Sequence, residues 1–272
     1  MSSSESIFFR SGGLRLHATR HPGLGGRPVV VVPGITTPAG AFGFAARRLA
    51  AAAGDVFVLD MRGRGLSERS DFGSHSSADY AEDVLALIEG TGVDRPVLVG
   101  HSLGARVVAS ARARFPGCSA GVIAIDPPLS GPGRRPYPTG LDVFVGGIQG
   151  ARRGRGEADA RQNYPTWTDE QIVTRARWLA SCDEAAVIES YAWFHLEAFE
   201  PVWAEVEPPA LLLVGDKSPV VTQEDAARLA QVNERASVVA VAGCGHMVPW
   251  DNLDQTVAEI ETFMSKLEGD QS

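Results

Sequence analysis

One serine in this chain is placed to act as a nucleophile. Ser102 lies at the centre of Gly100-His101-Ser102-Leu103-Gly104, between an apolar run at 97–99 and a helical pattern at 105–115. Glycines two residues to either side suit a sharp strand-to-helix turn, because side chains there would collide with the neighbouring strand and helix. Such a turn projects the serine oxygen at a helix N-terminus, where backbone N–H groups stabilise developing negative charge. The spacing therefore predicts acyl-transfer chemistry at Ser102.

A Gly-x-Ser-x-Gly run at a strand-to-helix turn is typical of the nucleophile elbow of α/β-hydrolases. An ordinary glycine-rich loop between a strand and a helix can carry the same residues, so the motif alone does not decide. A serine nucleophile also needs a base that takes its proton and hydrogen-bond donors that hold the oxyanion. The chain supplies candidates for both.

His246 is the candidate base. It follows an apolar run at 238–241 through the short loop Ala242-Gly243-Cys244-Gly245, which predicts a position over the carboxyl edge of the sheet. A histidine that comes after the serine in the chain matches the order found in α/β-hydrolases. His101 lies inside the elbow, and we expect its side chain to be directed into local packing.

The oxyanion donors are expected on two backbone segments. The N–H of Leu103 directly follows the nucleophile, and the second donor should come from the loop after the strand at 29–32. In that loop Gly34 lets the backbone turn inward, and Ile35 then offers its N–H. The neighbouring Thr36 either donates a hydrogen bond to substrate or only closes the loop. Many relatives carry histidine where Pro33 stands here.

The third member of the triad has two candidates. In most α/β-hydrolases the acid follows the penultimate strand on a Gly-x-x-Asp turn, but here that turn ends in Ser218, which cannot stabilise an imidazolium as a carboxylate does. Asp126, after the strand that follows the elbow helix, is the favoured acid, and Asp216 is the alternative. Asp126 also fits a purely local role in the turn at Pro127-Pro128.

Hydrophobic periodicity predicts an α/β protein with a mostly parallel, eight-stranded sheet flanked by helices. Short apolar runs alternate with helical patterns, and such alternation implies right-handed crossovers between parallel strands. The first two runs flank Ser11-Gly12-Gly13 and read as a hairpin. The eight runs are 7–9, 14–18, 29–32, 56–59, 97–99, 122–125, 211–214 and 238–241.

The alternation stops between residues 130 and 208, which we name the cap segment. No convincing strand occurs in it, and Thr168-Asp169-Glu170-Gln171 is a capping box that begins a helix. We therefore expect a helical cap at 130–208 inserted into an α/β-hydrolase core made of 1–129 and 209–272. The tryptophans, tyrosines and phenylalanines concentrated in the cap segment either pack cap on core or line a pocket.

Bulk composition excludes several classes of protein. The 272 residues carry a net charge of −8, so no basic surface favours nucleic acid. No apolar run is long enough for a membrane span or a signal peptide, and we expect a cytoplasmic protein. Three widely spaced cysteines form no zinc-ligand pattern, so no metal is expected.

Five segments of the chain, 31–36, 60–67, 100–106, 126–135 and 245–251, share one resemblance. They resemble the N-formylmaleamate deformylases, α/β-hydrolases of aerobic nicotinate degradation. The elbow is generic, but DPPLSGPGRR at 126–135 and GHMVPWD at 245–251 are much more specific. The resemblance implies a triad of Ser102, Asp126 and His246 that needs no cofactor. It also implies a small anionic amide substrate that is cleaved to maleamate and formate.

Two alternatives remain at this stage. The 2-(acetamidomethylene)succinate hydrolases resemble the chain in the placement of the acid, and an esterase or lactonase could use the same triad. A hydrolase fold that serves only as a ligand receptor or scaffold is a further possibility outside enzymes. The turn at 215–222 departs from the deformylase pattern and leaves the substrate open.

A substrate carboxylate requires a cation or several donors. Arg134 and Arg135 are the candidates, because they follow Asp126 by only eight and nine residues, and Thr36 is a candidate donor. Arg106 and Arg64 are weaker candidates. Each of these arginines also fits a structural ion pair. In the turn at 60–65, Asp60 and Arg62 are expected to be structural.

Overall fold

The part of the chain that the computed structural model describes, residues 4–269, contains one sheet of eight strands. The strands are β1 (Glu5–Ser11), β2 (Leu14–His21), β3 (Val29–Val32), β4 (Val56–Asp60), β5 (Val97–His101), β6 (Gly121–Ile125), β7 (Ala210–Gly215) and β8 (Ser237–Val241). Their spatial order is β1-β2-β4-β3-β5-β6-β7-β8, and all pairs from β4 to β8 are parallel. The predicted α/β class with a mostly parallel, eight-stranded sheet is confirmed.

Helices cover both faces of the sheet. Those of the core are α1 (Ala39–Ala50), α2 (Ser77–Thr91), α3 (Leu103–Arg114), α9 (Gln223–Val232), α10 (Val248–Asp251) and α11 (Leu253–Gly269). Valines fill β3 completely, and all its residues are buried, as expected for a strand enclosed by helices on both sides. The carboxyl ends of the parallel strands share one edge, and that edge is where the elbow serine lies.

The cap segment is helical and lies between β6 and β7. Its helices are α4 (Leu141–Arg152), α5 (Gly156–Asn163), α6 (Asp169–Leu179), α7 (Glu184–Leu196) and α8 (Glu200–Glu205). The predicted capping box is present at the start of α6, where Thr168 and Gln171 exchange side-chain to backbone hydrogen bonds. The division into a core of 1–129 and 209–272 and a cap at 130–208 stays a prediction. Residues 1–3 and 270–272 of that core lie outside the described range.

The turn between β5 and α3 has the strained geometry that its glycines permit. Ser102 adopts φ 55° and ψ −120°, a conformation that side-chain-bearing residues rarely adopt. A Cβ on Gly100 would lie 2.1 Å from the carbonyl oxygen of Gly104, and a Cβ on Gly104 would lie 1.8 Å from that of Val32. Strand and helix therefore approach each other too closely for any side chain at these two positions.

We predict that Gly104→Ala lowers the free energy of unfolding by about 3 kcal/mol or more, because the new methyl group meets fixed backbone. Gly146→Ala is the matched control. Nothing lies within 4 Å of a Cβ at Gly146 in α4, so alanine there should raise stability by about 0.5–1 kcal/mol. Urea denaturation of both variants measures the effects, and a Gly104→Ala protein as stable as the parent would contradict this account of the turn.

Candidate active site

Three side chains from distant parts of the sequence form one hydrogen-bonded chain. Ser102 Oγ lies 3.0 Å from His246 Nε2, and His246 Nδ1 lies 2.7 Å from Asp126 Oδ2. Asp126 is fully buried and Ser102 nearly so, whereas the imidazole is partly open to the cavity above it. In this arrangement the carboxylate accepts a hydrogen bond from Nδ1–H and so keeps the proton on Nδ1. Nε2 is then free to take the serine proton.

Strand pairing brings the serine and the acid together. β5 and β6 are parallel neighbours in which His101 pairs with Ile125, so the residues that follow them, Ser102 and Asp126, emerge side by side. The N–H of Ser102 donates to the carbonyl of Ile125 at 2.8 Å, and the N–H of Asp126 donates to that of Leu213 at 2.8 Å. These bonds fix both backbones at the carboxyl edge of the sheet.

The two candidate acids occupy different environments. Asp126 accepts hydrogen bonds from the Ser218 hydroxyl at 2.6 Å and the Gly215 N–H at 3.3 Å, in addition to the imidazole. Asp216 is exposed, and its carboxylate accepts the N–H of Cys244 at 3.1 Å in the loop that leads to His246. The structure therefore brings Asp126, and not Asp216, to His246. Ser218 stands where an acid is usual and instead donates to Asp126.

His101, the histidine of the elbow, is a packing residue, as predicted. His101 Nε2 lies 2.9 Å from the backbone carbonyl of His246, and its ring lies against the ring of Trp250. Burial, and then the neighbouring His246, lower the pKa of His101 to about 3. His101 is therefore neutral at neutral pH and donates its Nε2 proton to that carbonyl, which holds the loop carrying the base.

The two backbone N–H groups expected to be oxyanion donors, those of Leu103 and Ile35, both belong to segments that lie beside Ser102. Leu103 is the first residue of α3, so its N–H has no acceptor within the helix. Gly34 passes so close to the nucleophile that its Cβ would lie 3.4 Å from the Cβ of Ser102. The carbonyl of Gly34 accepts the N–H of Thr37 at 2.9 Å, so the N–H of Ile35, on the other side of the same trans peptide, points the opposite way.

A cavity of about 520 Å³ opens above the serine and the histidine. Its walls are formed by residues 34–37, which we name the oxyanion loop, by the start of the cap segment and by helices α4, α5 and α6. Most of its lining is apolar, and the side chains in its walls include Thr36, Tyr137, Phe144 and Arg175. A volume of this size suits a small organic substrate.

A family model described as the alpha/beta hydrolase family matches residues 29–260. The chain belongs to the α/β-hydrolase family. Its sequence is 38% identical over 255 residues to an N-formylmaleamate deformylase from Pseudomonas putida, which covers 93% of this chain and 94% of that protein. The resemblance to the N-formylmaleamate deformylases predicted from the sequence is confirmed.

One solved structure and a second sequence relative agree with this family membership. A crystal structure of an N-formylmaleamic acid deformylase from Pseudomonas putida S16 superposes with a TM-score of 0.87 at 37% identity, covering 94% of this chain and 99% of that one. A 2-(acetamidomethylene)succinate hydrolase from Mesorhizobium japonicum is 28% identical over 77% of this chain and 78% of its own length.

Arg134 and Arg135 do not reach the cavity of this α/β-hydrolase. Arg134 forms an ion pair with Glu200 at 2.8 Å, and Arg135 forms one with Asp225 at 2.5 Å. Both arginines are exposed and absent from the cavity wall. The structure therefore does not support their expected role in carboxylate binding. Acidic residues of α8 and α9 pair with both guanidinium groups and keep them outside the cavity.

The weaker arginine candidates are also committed to the protein. Arg106 is buried and donates to the carbonyls of Pro128 at 2.9 Å and Glu197 at 2.6 Å. Arg64 is buried and donates to the Ile35 carbonyl at 3.1 Å and the Ser190 hydroxyl at 2.9 Å. Both side chains therefore hold backbone segments around the site.

Arg175 is the cation that the sequence analysis missed. It lies on α6, lines the cavity, and donates from Nη2 to Thr36 Oγ1 at 2.9 Å and from Nη1 to the Thr36 carbonyl. Helical spacing carried a signal for it. Gln171 and Ile172, one turn earlier, are buried, so Arg175 follows them on the face that meets the core. Thr36 is thereby tied to α6.

Tyr137 is a second residue that the sequence did not single out. Its hydroxyl oxygen lies 3.1 Å from His246 Nε2, and its side chain is buried. No local pattern marks it, because its position depends on how the start of the cap segment folds over the core.

The described residues show neither a metal centre nor a membrane span. Within 4–269, no group of three or more His, Cys, Asp or Glu side chains is arranged to hold a metal ion. None of the described helices combines the length and the hydropathy that a membrane span requires.

We predict that Asp126→Asn lowers kcat for a p-nitrophenyl ester by roughly 10⁴, because the amide cannot hold the productive imidazole tautomer or stabilise the imidazolium. Asp216→Asn, the matched control, should lose less than about tenfold, since its carboxylate only braces the Cys244 N–H. Steady-state kinetics and thermal unfolding of both variants test this, and the reverse ranking would return the acid to the turn after β7.

Proposed function

We propose that this α/β-hydrolase removes the formyl group of N-formylmaleamate and releases maleamate and formate. The observation that carries the proposal is the guanidinium of Arg175, which bonds to Thr36 in the wall of the same cavity that Ser102 and His246 line. The 38% identity over 93% of the chain to an N-formylmaleamate deformylase supports the same reaction.

The first half of the reaction acylates the serine. Ser102 Oγ attacks the formyl carbon while His246 Nε2 takes the hydroxyl proton, and Asp126 stabilises the imidazolium that forms. The N–H groups of Ile35 and Leu103 receive the oxyanion of the tetrahedral intermediate. The imidazolium then protonates the nitrogen, the C–N bond breaks, and maleamate leaves. This nitrogen departs as an amide, which is a better leaving group than an amine.

The second half hydrolyses the formyl enzyme. Water takes the position that maleamate vacated, His246 removes a proton from it, and the oxygen attacks the formyl carbon. The same N–H groups hold the second oxyanion until Ser102 leaves with a proton from Nε2, and formate is released. Each proton transfer uses Nε2, so the reaction needs no group beyond the side chains and backbone described.

Arg175 is the proposed site for the substrate carboxylate. Within residues 4–269 no Asp or Glu forms an ion pair with it, whereas Arg134 and Arg135 each have one. Two of its N–H groups bond to Thr36, and the planar guanidinium has further donors that can face the cavity. A substrate carboxylate supplies the missing counter-charge and can accept two parallel hydrogen bonds from it. Thr36 then acts by holding the guanidinium in place.

We predict that the wild-type enzyme releases formate from N-formylmaleamate with a kcat/KM at least roughly tenfold above that for acetate release from 2-(acetamidomethylene)succinate. One reason is that an extra methyl group at the reacting carbon is usually discriminated by about 10- to 200-fold. The other is that the acetamidomethylene compound must expel an enamine nitrogen, which is a poorer leaving group than an amide. Formate and acetate assays on the two compounds measure this. Faster acetate release would favour the acetamidomethylene reaction, and activity on aryl esters alone would favour an esterase.

We also predict that Arg175→Met lowers kcat/KM for N-formylmaleamate, since the carboxylate then enters the cavity without a cation. The loss of transition-state stabilisation should be about 2–4 kcal/mol. The methyl ester of the substrate should lose far less, and this loss reports only the missing bonds to Thr36. Arg177→Met, an exposed position two residues along α6, is the control and should change neither rate by more than about twofold. Equal losses on acid and ester would place carboxylate recognition elsewhere.

A further inference from the structure

The hydroxyl of Tyr137 shares one nitrogen with the nucleophile. Its oxygen lies 3.1 Å from His246 Nε2, and Ser102 Oγ lies 3.0 Å from the same atom. Nε2 can form only one strong hydrogen bond along its ring axis at a time. The phenol oxygen and the serine oxygen therefore both lie within hydrogen-bonding distance of the nitrogen that carries the transferred proton.

The phenol also lies where the second proton transfer of acylation takes place. Nε2 first takes a proton from Ser102 and then delivers it to the leaving nitrogen, which is bonded to the same carbon as Ser102 Oγ and must come to about 3 Å from Nε2. In the structure Tyr137 Oη already lies at that distance. The phenol also interacts with the Ser102 side chain, so its hydroxyl borders the space beside Ser102 Oγ and Nε2 into which the departing nitrogen must come.

The phenol is held in place and remains protonated. Its ring packs against Phe144, Tyr191 and Phe194, with centroid distances of 6.2, 6.4 and 5.2 Å. Burial raises the pKa of Tyr137 well above its usual value of 10. At neutral pH it is consequently a donor of one hydrogen bond and does not give up its proton.

The chain on both sides of Tyr137 is anchored to other elements. Two residues before it, Arg135 pairs with Asp225 and donates to the carbonyl of Val220 at 2.7 Å. Two residues after it, the carbonyl of Thr139 accepts the hydroxyl of Tyr191 at 3.1 Å. Arg135, which does not reach the substrate, thus helps to fix the segment that presents Tyr137.

We propose that Tyr137 is a further catalytic residue, whose hydroxyl donates a hydrogen bond to the amide group that departs from the formyl carbon. This inference rests on the proposed deformylase function. As the C–N bond breaks, its electron pair goes to nitrogen, which takes the proton of Nε2, and the formyl carbonyl re-forms on Ser102. Tyr137 keeps its proton throughout and stabilises the charge that develops on the departing amide.

The test compares two leaving groups on one acyl group. Tyr137→Phe should lower kcat/KM for N-formylmaleamate by roughly 10- to 100-fold, the usual effect of removing one donor to a developing charge. With p-nitrophenyl formate it should lose less than about threefold, because p-nitrophenolate leaves without help. The formyl group and Ser102 are the same in both reactions, so only the leaving group differs. Uncatalysed hydrolysis of the ester is subtracted.

Tyr191→Phe separates a catalytic role from a structural one. It removes a hydroxyl that anchors the same segment at Thr139 but does not touch His246, so any loss it causes should be equal for both substrates. A Tyr137→Phe enzyme with equal losses on amide and ester, or with full activity on the amide, would overturn the proposal. Wild-type enzyme inactive on N-formylmaleamate but active on the ester would instead overturn the proposed function.

Discussion

The geometry of the site depends on the strained backbone of Ser102. A residue at φ 55° and ψ −120° costs about 1–3 kcal/mol and persists only where its surroundings impose it. Here the bond from its N–H to the Ile125 carbonyl and the close contact between Gly104 and Val32 impose it. Because β5 lies between β3 and β6, the serine faces the oxyanion loop on one side and Asp126 on the other.

The proposed charge stabilisation and the proposed substrate recognition meet in one loop. The carbonyl of Ile35 accepts Arg64, which also bonds to Ser190 on α7, and the carbonyl of Thr36 accepts Arg175 on α6. Arg64 and Arg175 thus connect the carbonyls of Ile35 and Thr36 to helices of the cap segment. A carboxylate bound by Arg175 would also hold the loop that receives the oxyanion, so binding energy far from the reacting carbon serves catalysis.

Local patterns in the sequence were enough for the sheet and for the order of the triad. Buried parallel strands are short apolar runs, and turns at their carboxyl ends collect functional side chains, so position alone indicated Ser102 and His246 and limited the acid to Asp126 or Asp216. The choice between Asp126 and Asp216 needed the structure, because only the fold shows that Ser218 donates to Asp126.

The cap segment was predictable in class but not in contacts. Arg134 and Arg135 were expected near the substrate because they follow Asp126 closely, yet Glu200 and Asp225, at least 65 residues further along, hold them outside. Such pairings between distant positions leave no local signal. Arg175 shows the opposite case, since its spacing from buried Gln171 and Ile172 could have placed it on the inner face of α6.

The most direct test of the account is to trap the formyl enzyme. N-Formylmaleamate is mixed with the wild-type enzyme, and the reaction is stopped with acid within the first turnover. The mass of the peptide containing residues 100–104 is then measured by mass spectrometry. We expect a formyl-sized mass increase on Ser102 that appears before formate and decays during turnover. Undiminished formate release by a Ser102→Ala enzyme, with no adduct on the wild type, would contradict it.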